Sequence, residues 1–326
     1  MKKLIALLLC AALCTGLCSC MKKEEPPAEE LVPPEKTYTF TESELKAIGD
    51  DSTSMTEIMQ RMLSDYIVYQ NEIGDFVYAP IDESLPKHNY DYSHLTNVNN
   101  NVKPIFEYKD EEAGIESLKG IDVSKYQGEI DWKLVASDGI KFAFIRVGYR
   151  GYGSEGKLVV DPAFEANIKG ALENDIDVGV YFFTQAITEE EAAAEADFVL
   201  ENIKPYRVNW PIVWDVEYAG SMKARTINLD AEKRTDCCIA FCERIAEAGF
   251  TPMVYANTKW FVEELDLTRL SEYDKWFAQY WNQPGFPYEY QIWQYTDKAK
   301  IKGIEGNTDL DISFVDYSKK DVSETN

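Results

Sequence analysis

The chain has 326 residues, 45% of them apolar and 28% charged, which is a globular composition and excludes wholesale disorder. Its formal charge is -24, from 57 acids against 33 bases. That excludes a nucleic-acid binder working through a broad basic face. Only two histidines occur, His88 and His94, both in the first third. A functional domain further along therefore has no imidazole, so Ser-His-Asp, Cys-His and His-zinc chemistry are removed together.

The first residues read as a leader: Lys2 and Lys3, then an apolar run from Leu4 to Leu17 too short for a stable bilayer span. The run ends Leu17-Cys18-Ser19-Cys20, which resembles the bacterial lipoprotein box. The resemblance implies a signal peptide over residues 1–19 and acylation of Cys20. It also implies an exported lipoprotein held at a membrane by that anchor, facing the periplasm or the cell surface. An ordinary secretory signal is the alternative. Residues 20–36 are rich in Glu and Pro and read as a flexible tether.

Residues 37–117 read as a small helical N-terminal extension packed on the larger domain. Ser54 and Glu57 form a capping box, and Ile58, Met62, Tyr66 and Ile67 give a rough apolar stripe. Residues 80–103 have little period and read as a long loop, with His88 and His94 exposed in it. Cys237, Cys238 and Cys242 share one predicted helix and read as packing groups, with neither a disulfide nor a metal site expected.

From residue 118 short apolar runs alternate with helical stretches. Strands are predicted at 120–123, 142–147, 178–183, 211–217 and 252–256. Helices are predicted from Asp131, from Asp161 to Glu173 with Pro162 in the first turn, from Glu189 to Ile203 capped by Thr188, and from Asn228 to near Gly249. Three more strands, 275–280, 290–295 and 310–314, follow with short connections. Strands buried on both faces and alternating with helices indicate parallel βα units. The fold class is therefore α/β: a modified TIM-like barrel over residues 118–318, with five βα units followed by three strands with few helices. A tail over 319–326 completes the chain.

In such barrels the chemistry sits at the C-terminal ends of the strands. Asp215 and Glu217 fall there on the fourth strand, and i,i+2 spacing puts both on the face of Val213. Asp122 ends the first strand, and Asp309 and Asp311 lie around the last. Closing the barrel brings these together. Carboxylates held in different environments are the usual equipment for cleaving a glycosidic bond, although the same acids could cap loops or bind a hard metal. Aromatics crowd these strand ends: Tyr149, Tyr152, Tyr181, Phe183, Tyr280, Trp281, Trp293 and Tyr295. Most are expected to pack; Tyr181, Tyr280 and Trp293 are the candidates for stacking on sugar.

Taken together, the segments resemble glycoside hydrolase family 25, the lysozyme (muramidase) family. They are Gly120-Ile121-Asp122-Val123-Ser124-Lys125-Tyr126-Gln127-Gly128, Phe144-Ile145-Arg146-Val147-Gly148-Tyr149, Gly179-Val180-Tyr181-Phe182-Phe183, Pro211-Ile212-Val213-Trp214-Asp215-Val216-Glu217, Ile292-Trp293-Gln294-Tyr295 and Ile304-Glu305-Gly306-Asn307-Thr308-Asp309-Leu310-Asp311. The resemblance covers roughly residues 118–318. It implies an N-acetylmuramidase that cleaves the β-1,4 bond between N-acetylmuramic acid and N-acetylglucosamine in peptidoglycan glycan strands. Glu217 is implied as general acid, Asp215 as the group assisting the substrate's acetamido, with attack by a directly activated water as the other route, and Asp122 and Asp309 as supporting acids. No cofactor or metal is expected, and the chain is expected to act as a monomer. Phe182 stands where many relatives have histidine, and Asp311 where Asn is common. A non-catalytic wall-binding lipoprotein and a glycosidase acting on chitin-like chains are the alternatives.

Overall fold

The computed structural model describes Gln60 and residues 65–71, 75–99, 104–221 and 223–319. The leader with Cys20, the tether, most of the helix expected from Ser54 and all of the C-terminal tail but Lys319 lie outside the described residues.

The barrel is built from β6 (Leu118–Val123), β7 (Phe142–Arg150), β9 (Asp177–Phe183), β10 (Ile212–Asp215), β11 (Pro252–Asn257), β12 (Asp274–Ala278), β13 (Ile292–Ala299) and β14 (Thr308–Ser313). Seven run parallel; β14 pairs antiparallel with both β13 and β6 and closes the ring. The short strand β8 (Leu158–Val160) lies antiparallel on the end of β7, beyond the stretch paired with β6.

Helices α1 (Trp132–Ser137), α2 (Phe164–Glu173), α3 (Glu189–Ile203) and α4 (Ala231–Glu247) cover the outside of the first strands. Their starts follow local chemistry. The Thr188 hydroxyl accepts from the Glu191 N–H at 3.2 Å, and Glu189, Glu190 and Glu191 sit at the positive end of α3. Asp230, rather than Asn228, caps α4, accepting from Lys233 N–H at 2.7 Å. Asp161 does not begin α2; it is buried and ion-paired with Arg146, and the helix starts at Phe164. The fifth βα unit has only a π turn, Trp260–Glu264, in place of a full helix. Cys237, Cys238 and Cys242 are buried free thiols on the core side of α4.

Among the described residues, no α-helix follows α4 to cover the outer face of the barrel beyond β11. Phe277, Trp293, Tyr295 and Phe314 point outward there and belong to the outer core. The N-terminal extension packs there, and its described regular elements are mainly strands. β1 (Tyr66–Gln70) pairs with β2 (Phe76–Pro80) as a hairpin. β3 (Leu95–Asn97), β4 (Phe106–Asp110) and β5 (Ile115–Glu116) form a three-stranded sheet. This corrects the expected helix over Tyr66 and Ile67: Tyr-Ile-Val-Tyr is rich in β-branched and aromatic residues, and pairing with Phe76–Pro80 decides its state.

Aromatic stacking docks the extension. The Phe106 ring lies 5.3 Å from Trp293 and 5.1 Å from Tyr295, and Tyr90 stacks on Phe314 at 4.1 Å. The Tyr90 hydroxyl donates to the Tyr290 carbonyl at 2.8 Å. The histidines are not exposed loop residues. Half-buried His88 stacks on Tyr90 and shares a 3.2 Å hydrogen bond with the Tyr92 hydroxyl; burial pushes its pKa down to about 4. His94 contacts the Lys109 carbonyl at 3.0 Å.

Inside the ring, period-two alternation separates a dry floor from a polar mouth. Phe142 stacks on Trp210 at 4.1 Å and Phe144 on Trp276 at 4.6 Å, with Val213, Met253 and Ile292 between them. Gly120 leaves the space for this floor, since a Cβ there would lie 2.2 Å from the Phe142 ring. Two residues along the strands, the same inward rows carry Asp122, Arg146, Asp215, Tyr255 and Gln294.

Candidate active site

These residues open into a cavity of about 580 Å³ at the C-terminal ends of the parallel strands. Asp122, Asp215, Glu217 and Asp309 all line it. Asp215 ends β10 and is 4% exposed; Glu217 follows two residues later, half-buried at the rim. Asp309 of β14 is the direct cross-strand partner of Asp122 on β6. One carboxylate pair thus lies at the end of a single strand and just beyond it, and barrel closure sets the other across two strands.

Burial raises every one of these carboxyls, and their mutual repulsion adds to it. Asp122 is held well above the usual carboxylate range by burial, then by Asp309 and Asp311; the amide of Gln294 acts the other way. Asp215 is raised by burial and then by Glu217, against the opposing charge of Arg146. Glu217 is pushed up to about 7 by burial and Asp309, again opposed by Arg146. Asp309 rises to about 6 through burial and Asp297. Asp311 lies below the mouth, fully buried, accepting from Trp276 Nε1 at 2.9 Å; burial and Asp309 raise it. Among the described residues, no group of three or more His, Cys, Asp or Glu is disposed to hold a metal ion.

Two residues not singled out individually from the sequence organise this cluster. Gln294 donates from Nε2 to Asp122 Oδ2 at 2.8 Å, while its Oε1 accepts from the Tyr255 and Tyr280 hydroxyls, each at 2.9 Å. Arg146 is held by Asp161 through Nε at 2.7 Å and Nη2 at 2.6 Å, and its guanidinium lies over the Tyr126 and Tyr149 rings. A bulge between Arg146 and Gly148 in the β7–β9 pairing lies beside it. Both were detectable as polar residues interrupting apolar strand segments, on inward rows above Phe144 and Ile292.

The aromatic candidates separate. Tyr181 and Tyr280 line the cavity, Tyr280 half-exposed. Trp293 does not: it is fully buried on the outer face, its Nε1 donating to the Gln279 carbonyl at 2.8 Å beneath Phe106. Alternation requires this, because Gln294 takes the inward position. Besides Tyr280, the exposed rings at the rim are Tyr126, Tyr152 and Tyr218.

Two outcomes follow. Replacing Gln294 by Ala leaves Asp122 without its donor and frees both tyrosine hydroxyls. Any reaction run by this cluster is expected to slow by about 10- to 100-fold with KM little changed, measured by steady-state kinetics. The second concerns pH. The folded-state values of Asp122, Asp215, Glu217, Asp309 and Asp311 lie above unfolded ones, as does Glu195, buried beside Thr184 and raised to about 7. Their protonated forms favour the fold. That contribution is complete below the unfolded carboxylate values near pH 4 and is lost as pH rises through the folded ones. Calorimetry should therefore give a higher Tm at pH 5 than at pH 8; the opposite order would refute this electrostatic account.

Comparison with known proteins points to one family. Residues 121–304 match the model of glycosyl hydrolases family 25. The uncharacterized protein YegX of Escherichia coli (strain K12) is 28% identical over 204 residues, covering 60% of this chain and 69% of YegX. An autolytic lysozyme of Clostridium acetobutylicum is 24% identical over 195 residues, 60% of this chain and 55% of that enzyme. The chain thus spans about half the length of that lysozyme. A family 25 glycosyl hydrolase from Bacillus anthracis has a solved structure that matches with a TM-score of 0.51 at 26% identity, over 61% of this chain and 89% of that one.

Proposed function

The chain belongs to glycosyl hydrolase family 25, and from that membership we propose that it is an N-acetylmuramidase acting on the glycan strands of peptidoglycan. The observation that carries the reading is the Asp215–Glu217 pair at the end of β10, facing Asp122 and Asp309 across a cavity rimmed with tyrosines. Glu217, raised to about 7, holds a proton near neutral pH and donates it to the oxygen of the leaving sugar. Asp215 receives the acetamido N–H of the sugar whose bond breaks. That hydrogen bond favours the ionised form of Asp215 and leaves the proton of the pair on Glu217. The acetamido oxygen attacks the anomeric carbon as its bond to the leaving oxygen breaks, and water then adds at that carbon, reopening the acetamido and giving a new reducing end, the substrate-assisted variant of carboxylate glycosidase chemistry. Asp122, tied through Gln294 to Tyr255 and Tyr280, fixes the far wall.

The leader extends the reading to location: export, acylation of Cys20 and attachment to a membrane through that lipid, with the barrel acting as a monomer on wall held near the anchor. The test of function is incubation with purified peptidoglycan. Release of soluble fragments with new reducing ends supports a hydrolase. Retention on the wall without release would replace it with a binding lipoprotein.

A further inference from the structure

A second cavity, of about 340 Å³, lies beside the first and shares Tyr218 with it. One wall is the end of the β1 strand, with Tyr69, Gln70 and Asn71; the other includes Trp260 and Trp281, from the segments after β11 and β12. The hairpin is fixed here by the Tyr69 hydroxyl, which donates to Glu263 Oε1 at 2.8 Å. No described acidic residue lines this space, in a chain of net charge -24 whose neighbouring cavity holds four carboxylates. Its lining cation, Lys259, already lies 3.6 and 3.9 Å from Glu263 and Glu264. The wall therefore offers aromatic rings and side-chain amides with little uncompensated charge. Rings match the apolar faces of a pyranose, and amides match its hydroxyl and N-acetyl groups.

We propose that this cavity is a second saccharide subsite. It takes an N-acetylglucosamine unit, the uncharged sugar of the same glycan strand, beyond Tyr218, and the N-terminal extension supplies one of its walls. The assignment of the ligand rests on the muramidase reading; the site itself rests on the shared tyrosine and a described lining of rings and amides without an acid. The extension then has two roles, covering the bare barrel face and lengthening the groove.

The test is calorimetry on the full chain carrying Glu217→Gln, titrated with peptide-free glycan fragments of four and eight sugars. The eight-sugar fragment is expected to bind about tenfold more tightly, the scale of one added ring contact. Adding Gln70→Ala or Trp281→Ala should bring its Kd to that of the four-sugar fragment while the shorter one binds as before. The retained four-sugar affinity reports that each variant is folded, and Gln70, exposed at a strand end, decides should Trp281→Ala unfold. Equal Kd values for the two lengths, including no binding of either, overturn the proposal, as does a length advantage that survives Gln70→Ala. A length advantage that depends on Gln70, in a chain whose unmutated form leaves peptidoglycan uncut, would sink the hydrolase reading and keep the subsite.

Discussion

Replacing Glu217 by Gln is expected to lower turnover on peptidoglycan by about 10³-fold or more, with the fold retained. Gln keeps the shape of the side chain but has no acidic proton for the leaving oxygen. Stability should rise slightly or stay level, because the change removes a carboxyl that burial and Asp309 disfavour in its charged form. The pH profile adds a second readout. In the unmutated chain the rate should decline as pH rises through about 7, where Glu217 loses its proton. Any residual rate in Glu217→Gln should lack that decline. An unchanged rate, or an unchanged alkaline limb, would assign the proton to another group.

The second large effect concerns stability. A chain beginning at residue 117 keeps every barrel strand but loses the cover over β12, β13 and β14. Phe277, Trp293, Tyr295 and Phe314 lie in the outer core packed by this extension. Exposing a contiguous aromatic face of this kind creates an aggregation surface and removes much of the burial that holds the last strands. The shortened chain is expected to be recovered mainly as aggregate, or to melt at least 10 °C lower by calorimetry. Within the full chain, Trp293→Ala should cost about 3–5 kcal/mol in chemical denaturation. A shortened chain with unchanged Tm would show that the barrel covers its own face.

The barrel was legible because its strands are buried on both faces and read as short apolar runs between capped helices. The site was legible because Asp215 and Glu217 share one row above Val213, and because closure pairs the first strand with the last. Trp293 was misjudged for the same reason the strands were easy to find. When both faces are apolar, the sequence alone does not say which row points inward. Gln294 resolves it, since an amide inside an apolar run needs partners and finds Asp122, Tyr255 and Tyr280.

The extension was harder. Tyr66 and Ile67 fit a helical stripe as well as a strand, and only pairing with Phe76–Pro80 separates the two. Its aromatics show no period because they match the barrel's uncovered surface. Tyr90 and Tyr92 answer to Tyr290 and Phe314, some 200 residues away. The expectation that it packs on the larger domain holds for the described residues; its function as a substitute outer layer is a long-range fact that local patterns do not carry.

As proposed, this carboxylate cluster cuts the bond on the reducing side of N-acetylmuramic acid. Mass spectrometry of fragments released from purified peptidoglycan, after borohydride reduction of the new ends, tests it most directly. The account predicts N-acetylmuramic acid at the reducing terminus. N-acetylglucosamine there would contradict it.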